Sequence, residues 1–364
     1  IDRRTPTMNE PKAVMLGCGV AVPPLCIDNH MLARIMDTSD QWIRERSGIE
    51  TRYFVEPGVG SSDLGAAAAR AALADAGMET REIDYLVCAT MTPDHYFPGS
   101  GTLIQEHLGM DPLPSLDIRQ QCAGFVYGLQ MVDVLIRSRQ AQKVLLVGCD
   151  VHTSLMPFSE ESWGILLGKR EGPLDAEAYE RNSRLRHLVV LFGDGAGAFV
   201  FEAQNRADGR GILSSVLYGD GRHRDILYVP GGGSACRPWV DQEMIERGGT
   251  FPVMDGRQVF KLAVKQMPRV TREVLQRQGL TLDDLDLLIM HQANLRINEA
   301  AQRVLGLEDA RIHNNIQKYG NTTSATLPIC FHEASNAGKA PEGALVAFTA
   351  LGAGLHWGSV LMRV

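Results

Sequence analysis

The stretch SLDIRQQCAGFVYGLQ, residues 115–130, places a cysteine where a strand passes into a helix. Ser115–Ile118 end a short extended run, and from Gly124 onward apolar residues recur at helical spacing. We therefore predict that Cys122 lies in the first turn of this helix. The helix dipole and the unpaired N–H groups of a first turn lower the pKa of a thiol, so the position favours a nucleophilic cysteine.

The segments around this stretch alternate between short apolar runs and Ala-rich or amphipathic runs. Such alternation predicts an α/β fold with helices packed on mainly parallel sheets. The order of predicted helices and strands recurs in the second half of the chain, which predicts a duplicated unit with a boundary near residues 205–212. We therefore expect one half at residues 8–208, which carries Cys122, and a second at residues 209–364.

Composition limits the classes of function. The 364 residues carry 36 basic and 43 acidic side chains without a Lys/Arg run, which argues against a nucleic-acid surface. The seven cysteines are scattered without a Cys-x-x-Cys pair, which argues against disulfides or a metal site and favours the cytoplasm. No apolar run reaches the ~20 residues of a membrane span. The opening IDRRTPTM resembles the remnant of an expression tag before Met8.

Two polar residues of the second half are candidate partners of Cys122. His291 follows the apolar run LDLLIM, so it projects from the carboxyl end of a buried strand, where ligand sites of α/β sheets collect. Asn321, in YGNTTSAT, lies where a loop enters a helix, a position that also suits an N-cap. Cys, His and Asn serve either papain-like hydrolysis or thioester condensation. The mid-chain position of Cys122 favours condensation, because papain-like nucleophiles lie near the mature N-terminus.

The glycine-rich stretch GDGAGA, residues 193–198, lies between two apolar runs. It lacks the G-x-G-x-x-G form and a following helix, which a dinucleotide site requires. We therefore predict a tight β-hairpin here and no dinucleotide cofactor.

Six motifs, in order, resemble those of β-ketoacyl-acyl-carrier-protein synthase III, the initiating condensing enzyme of bacterial fatty-acid synthesis within the thiolase superfamily. They are DTSDQWIRERSGIETR (37–52), CAGFVYGL (122–129), FGDGAGA (192–198), HQANLRI (291–297), YGNTTSAT (319–326) and GAGLHWGS (352–359). The resemblance implies a thiolase-like five-layered αβαβα fold built from two duplicated halves, and a homodimer. It implies an acyltransferase that condenses an acyl-CoA with malonyl-acyl carrier protein, with no metal and no cofactor beyond the coenzyme A thioester.

The resemblance also implies roles for individual residues. Cys122 would carry the acyl group, and its backbone N–H and that of Ala353 would bind the first oxyanion. His291 and Asn321 would act on the malonyl group. The remaining assignments are coenzyme A contacts at Trp42, Arg46, Arg186 and Arg296, and an acyl-pocket contact to the partner subunit from Phe97.

Three features depart from the family pattern: the residues RQQ at 119–121, Arg257 in DGRQVF, and an insertion at residues 156–184. The insertion mixes apolar and charged residues, which predicts an amphipathic flap beside the coenzyme A entrance. A flap that extends or covers the acyl channel would favour medium-chain or longer acyl groups over acetyl.

Three alternative functions stay open from the sequence. Two are reactions of the same superfamily, head-to-head condensation of two long acyl chains and acyl transfer to a non-carbon nucleophile. The third is a homologue that binds acyl-CoA without catalysis, against which the intact Cys122, His291 and Asn321 argue.

Overall fold

The computed structural model describes residues 10–205 and 208–364. The proposed tag and Met8 lie outside the described residues. The strands are β1 Lys12–Ala21, β2 Leu25–Asp28, β3 Thr51–Phe54, β4 Tyr85–Ala89, β5 Ser115–Ile118, β6 Lys143–Asp150, β7 Gly195–Gln204, β8 Gly211–Gly219, β9 Leu227–Tyr228, β10 Val253–Met254, β11 Leu287–Met290, β12 Ile312–His313, β13 Leu345–Gly352 and β14 His356–Arg363.

The helices surround these strands. They are α1 Asn29–Ala33, α2 Asp40–Ser47, α3 Ser61–Ala76, α4 Ser100–Leu108, α5 Gly124–Arg137, α6 Glu160–Leu166, α7 Ala176–Arg184, α8 Arg186–Val189, α9 Gln242–Glu246, α10 Gly256–Gln276, α11 Leu295–Leu305, α12 Ile316–Tyr319 and α13 Thr326–Asn336. No helix of the described ranges is long and apolar enough to span a membrane.

Two five-stranded sheets have the same topology. Their strand orders are β5-β4-β6-β7-β1 and β12-β11-β13-β14-β8. In each sheet the first three strands are parallel and the last two pairings are antiparallel. Each sheet therefore mixes parallel and antiparallel strand pairs and is not mainly parallel as predicted. The predicted fold class, α/β, is correct. The division into halves at residue 208 stays a prediction; β7 ends at Gln204 and β8 begins at Gly211.

Helices α5 and α13 lie between the two sheets. Aromatic side chains join these layers, with ring centroids 5.1 Å apart for Phe125 and Phe199, and 5.4 Å apart for Phe331 and Phe348. Helix α3 covers the outer face of the first sheet, and helices α10 and α11 cover that of the second. The close approach of α3 requires glycine in β1, since a Cβ at Gly19 would lie 2.1 Å from the Ala72 nitrogen. This layering confirms the predicted αβαβα fold.

A 3-10 turn precedes each central helix. Gln121–Ala123 leads into α5, and Thr323–Ala325 leads into α13. The first residue of each turn is left-handed without being glycine, with φ of +50° at Gln121 and +53° at Thr323. Such a conformation costs of order 1 kcal/mol and is concentrated at functional sites. The matching turns place Ser324 in the second half where Cys122 stands in the first.

The GDGAGA segment does not form the predicted hairpin. The apolar run before it is helix α8 and a following turn, and only Gly195–Gln204 is a strand. The prediction failed because a short apolar run suits a buried helix as well as a strand. Gly193 donates its backbone N–H to the Asn321 carbonyl oxygen at 3.1 Å, so this segment supports the loop that carries a candidate site residue.

The insertion at residues 156–184 folds as helices α6 and α7 against the α1–α2 region. Ile165, Leu166 and Leu174 are buried there, and the Asn182 amide donates to the Ile35 carbonyl oxygen at 3.1 Å. No residue of the insertion lines either cavity that contains Cys122. The buried apolar residues confirm the amphipathic character of the segment, and they pack against α1 and α2. Its effect on the acyl channel stays a prediction.

Candidate active site

Three polar side chains meet in one cavity. Cys122, His291 and Asn321 line a space of about 120 Å³ whose other walls are mainly apolar. Cys122 comes from the turn before α5, His291 from the end of β11, and Asn321 from the loop after α12. The structure thus brings together residues that the sequence separates by up to about two hundred positions.

Cys122 lies in the turn Gln121–Ala123 and not in the first turn of α5, which begins at Gly124. The pKa of its thiol is raised to about 12, first by burial and then by the charge of Asp150, while its own backbone N–H acts in the opposite direction. The expectation of a lowered pKa is therefore wrong, because lost hydration outweighs the helix start. At neutral pH the free protein holds a neutral thiol.

The alkylation of Cys122 by iodoacetamide is expected to accelerate about tenfold per pH unit between pH 7 and pH 9. Only the thiolate reacts, and its fraction rises tenfold per unit below the pKa. Mass spectrometry of the peptide that contains Cys122 measures the rate, with the exposed Cys26 as an internal reference. A plateau below pH 8 would contradict the raised pKa.

His291 is held by hydrogen bonds on both its backbone and its ring. Its backbone N–H donates to the Thr349 carbonyl oxygen at 2.8 Å, and its Nδ1 lies 2.7 Å from the Thr326 hydroxyl oxygen. Nε2 is thus the ring nitrogen left for the cavity. Burial lowers the pKa of the imidazole to about 3, so His291 is neutral at neutral pH.

Asn321 is held by one backbone hydrogen bond and one side-chain hydrogen bond. Its backbone N–H donates to the Leu191 carbonyl oxygen at 2.8 Å, and its Oδ1 accepts the Thr323 backbone N–H at 2.9 Å. Because Oδ1 is engaged, the amide nitrogen Nδ2 is the end of the side chain left to serve the cavity. The N-cap of the turn Thr323–Ala325 is Thr322, so Asn321 is not the N-cap that its sequence context suggested. Its side chain lines the site.

Asp150 was missed by the sequence reasoning. Its buried carboxylate accepts hydrogen bonds from the Met91 N–H at 2.7 Å and the Ser324 N–H at 2.9 Å. It also accepts the hydroxyls of Thr90, Thr92 and Ser324. Asp150 therefore joins the loop after β4 to the turn before α13. The signal was available, since Asp150 is a carboxylate at the end of the apolar run KVLLVGCD.

Cys122 also lines a second cavity, of about 690 Å³, together with Ala353. Ala353 follows Gly352, where an added Cβ would lie 3.0 Å from the Cys122 nitrogen and 2.8 Å from the Ala123 nitrogen. Glycine at position 352 therefore lets the end of β13 abut the cysteine turn. The cysteine stands where the two cavities meet.

The predicted coenzyme A contacts gather outside the small cavity. The guanidinium groups of Arg46 and Arg186 lie 4.4 Å and 4.9 Å from the Trp42 ring centroid. Arg186 also donates hydrogen bonds to the backbone and carboxylate of Asp37. Asn294 lines the small cavity and donates to the Arg46 carbonyl oxygen at 2.9 Å, which links this cluster to the site. The other predicted contact, Arg296, is exposed at the start of α11.

Phe97 does not line either cavity of its own chain. Its side chain is 80% exposed, and its ring centroid lies 6.1 Å from that of Tyr96, which does line the larger cavity. Tyr96 in turn contacts Trp239, with ring centroids 4.2 Å apart. Phe97 thus belongs to an exposed aromatic group beside the larger cavity.

Comparison with known proteins finds one family that resembles most of this chain. Residues 116–169 and 176–221 match the family described as 3-oxoacyl-[acyl-carrier-protein] synthase III, and residues 275–364 match its C-terminal family. A β-ketoacyl-[acyl-carrier-protein] synthase III of Rhodospirillum rubrum is 39% identical over 97% of this chain and 99% of that protein. The corresponding protein of Cereibacter sphaeroides is 40% identical over the same shares.

Solved structures agree with these sequence relatives. A 3-oxoacyl-[acyl-carrier-protein] synthase III from Aquifex aeolicus superposes with a TM-score of 0.81 at 34% identity, covering 97% of this chain and all of that chain. The fold and the Cys-containing site define a thiolase-like acyltransferase of the condensing type. Within that class, the chain belongs to the β-ketoacyl-[acyl-carrier-protein] synthase III family.

Proposed function

We propose that this protein condenses an acyl-CoA with malonyl-acyl carrier protein, with loss of carbon dioxide, through an acyl-Cys122 intermediate of fatty-acid synthesis. One observation carries the proposal above all: Cys122 lines both cavities, one with His291 and Asn321 and the other with Ala353. A nucleophile at such a junction has space for an acyl group on one side and for the arm of a thioester on the other.

The first half-reaction transfers the acyl group. The Cys122 sulfur attacks the thioester carbonyl, and the bond to the coenzyme A sulfur then breaks. The thiol proton leaves with coenzyme A, which departs as a free thiol. The backbone N–H groups of Cys122 and Ala353 are proposed to stabilise the tetrahedral oxyanion, and each donor of such a pair is worth roughly 3 kcal/mol.

The second half-reaction forms the carbon–carbon bond. Malonyl-acyl carrier protein loses carbon dioxide, and the electron pair of the broken bond becomes an enolate on the thioester. We assign His291 Nε2 and Asn321 Nδ2 as hydrogen-bond donors to the enolate oxygen. For the neutral imidazole this assignment requires the Nε2–H tautomer, in which Nδ1 accepts the Thr326 hydroxyl. The enolate carbon attacks acyl-Cys122, the cysteine leaves as a thiolate, and it takes up one proton. A neutral His291 suits this role, since it adds no charge to an apolar cavity.

Coenzyme A is proposed to bind at the Trp42 cluster. Trp42 and Arg46 are proposed to flank the adenine, and Arg186 and Arg296 offer positive charge for the phosphates of coenzyme A. In the free protein both arginines beside Trp42 are within stacking distance of its ring.

We also propose a homodimer in the cytoplasm. The exposed aromatic group of Tyr96, Phe97 and Trp239 is typical of an interface, which supports the proposal that Phe97 contacts the acyl pocket of a partner subunit. The sulfurs of Cys88 and Cys149 are 3.8 Å apart without a bond, which suits a reducing compartment.

The experiment that tests the function uses intact-mass analysis of the protein after incubation with a panel of acyl-CoAs, followed by malonyl-acyl carrier protein. We expect one acyl adduct per chain, its loss on the second addition, and a β-ketoacyl-carrier product. The absence of an adduct with every acyl-CoA would indicate a non-catalytic binder. An adduct that malonyl-acyl carrier protein leaves intact would indicate transfer to another nucleophile or condensation with a second acyl chain.

A further inference from the structure

A buried histidine without partners lies in the wall of the larger cavity. His152, in the turn after β6, is only 3% exposed, and its ring stacks on Phe192 with centroids 3.5 Å apart. Neither ring nitrogen has a hydrogen-bond partner within residues 10–205 and 208–364. An unpaired buried polar group costs roughly 1–3 kcal/mol, so a purely structural role would be better served by an apolar side chain.

Gln121 adds a second unpaired polar group to the same wall. It directly precedes the nucleophile and also lines the larger cavity. Its Oε1 is buried and has no partner among the residues that the structure describes. Its left-handed backbone, with φ of +50°, is a costly conformation for a side chain of this size, and it is maintained beside Cys122.

The charges of the larger cavity have one sign. Arg119 and Arg224 are in its lining, and no Asp or Glu is among the lining residues. Neither a hydrogen bond nor an ion pair of the Arg119 side chain occurs within the described ranges, whereas Arg224 lies 3.4 Å from Asp225. The small cavity, in contrast, has Met254, Val259, Phe260 and similar apolar residues in its walls. The two spaces beside Cys122 therefore suit different chemistry.

From these unpaired polar groups and the absence of acidic residues from the described part of the lining, we propose that the larger cavity selects an acyl group with an oxygen function on its chain. We propose that it prefers a terminal carboxylate to a hydroxyl group. This inference rests on the proposed function, since it concerns the group that Cys122 carries. Both ring nitrogens of His152 are covered in the free protein, so an oxygen acceptor on the chain would receive the His152 N–H once the ring turns toward the cavity. An anionic acceptor would also pair with Arg119. An unsubstituted alkyl chain would leave His152 and Arg119 unpaired, whereas Gln121 Oε1, an acceptor, could be satisfied only by the hydroxyl substrate.

The test compares three four-carbon substrates: butyryl-CoA, 3-hydroxybutyryl-CoA and succinyl-CoA. The rate of Cys122 acylation is followed by intact mass with the full chain, each thioester well below saturation. We expect succinyl-CoA to react at least about tenfold faster than butyryl-CoA, the scale of one hydrogen bond to a charged group, with 3-hydroxybutyryl-CoA between them. Butyryl-CoA reacting as fast as the other two would overturn the inference.

Two variants separate the contributions. In His152→Leu the rate of 3-hydroxybutyryl-CoA should fall to about that of butyryl-CoA and the advantage of succinyl-CoA should shrink several-fold, while butyryl-CoA still reacts. In Arg119→Met only the advantage of succinyl-CoA should fall. An unchanged substrate ratio in His152→Leu would refute the role of this histidine.

The melting temperature of His152→Leu distinguishes a role of His152 in substrate selection from a role in the stability of the fold. We expect it to equal or exceed that of the unmodified protein, because the change removes an unpaired polar group. A clear loss of thermal stability with unchanged substrate ratios would assign His152 a structural role and reject the proposal. If none of the three thioesters, nor any other acyl-CoA, labels Cys122, the proposed function itself fails.

Discussion

Cys122→Ser is expected to abolish the acyl-enzyme and to lower condensation by a factor on the order of a thousand or more. Serine keeps the shape of the site but replaces a thiol by a hydroxyl of much higher pKa, and the structure places no charged base in the small cavity. The neutral His291, with its pKa of about 3, is a poor acceptor for such a proton. Intact mass after incubation with a competent acyl-CoA measures the adduct, and product formation measures condensation.

The matched control is Cys26→Ser, which changes an exposed thiol by the same atom and lies on β2, outside both cavities. This control should keep full acylation and full condensation. Peptide mapping of the unmodified protein should place the acyl group on the peptide that contains Cys122. An adduct on Cys149 or Cys330, or an adduct that persists in Cys122→Ser, would contradict the assignment.

His291→Ala is expected to separate the two half-reactions. Condensation should slow by roughly 30- to 1,000-fold, which corresponds to about 2–4 kcal/mol of lost stabilisation of the enolate. Acylation should change only a few-fold, because its oxyanion is assigned to the backbone N–H groups of Cys122 and Ala353. Rapid-mixing measurements of adduct formation and of product formation give the two rates independently.

Asn321→Ala is also expected to slow condensation much more than acylation, since Asn321 Nδ2 is assigned to the same enolate oxygen as His291 Nε2. The matched control is His30→Ala, an exposed histidine of α1, which should leave both rates unchanged. If His291→Ala slowed acylation and condensation equally, the imidazole would instead be the base that accepts the Cys122 proton.

Much of the candidate site could be predicted from the sequence, because the positions of its residues depend on local sequence patterns. The apolar run LDLLIM contains β11, which ends at Met290, directly before His291. The periodic apolar residues after Gly124 form α5. Such runs fix where a strand or helix ends, and ligand sites of α/β folds collect at those ends. The motifs that resemble the condensing enzymes then identified Cys122, His291 and Asn321 as one set.

The protonation of that set depended on the surroundings of each group. A helix start beside Cys122 predicted a lowered pKa of its thiol, whereas burial and the charge of Asp150 raise that pKa to about 12. Lost hydration is a sum over neighbours that come from distant parts of the chain, so local sequence does not report it. The same sum leaves His291 neutral.

The sequence by itself predicted the αβαβα class and the three side chains proposed to react, because contiguous motifs resemble those of a known family. It predicted the recurring order of helices and strands from local periodicity. Only the tertiary structure decided what lines the space around Cys122. It packs the insertion at residues 156–184 against α1 and α2. It also leaves both ring nitrogens of His152 and the Oε1 of Gln121, two residues that line the larger cavity, without a hydrogen-bond partner among the described residues. Whether a polar side chain is paired depends on atoms supplied by other strands and loops, and that pairing exists only once the chain has folded.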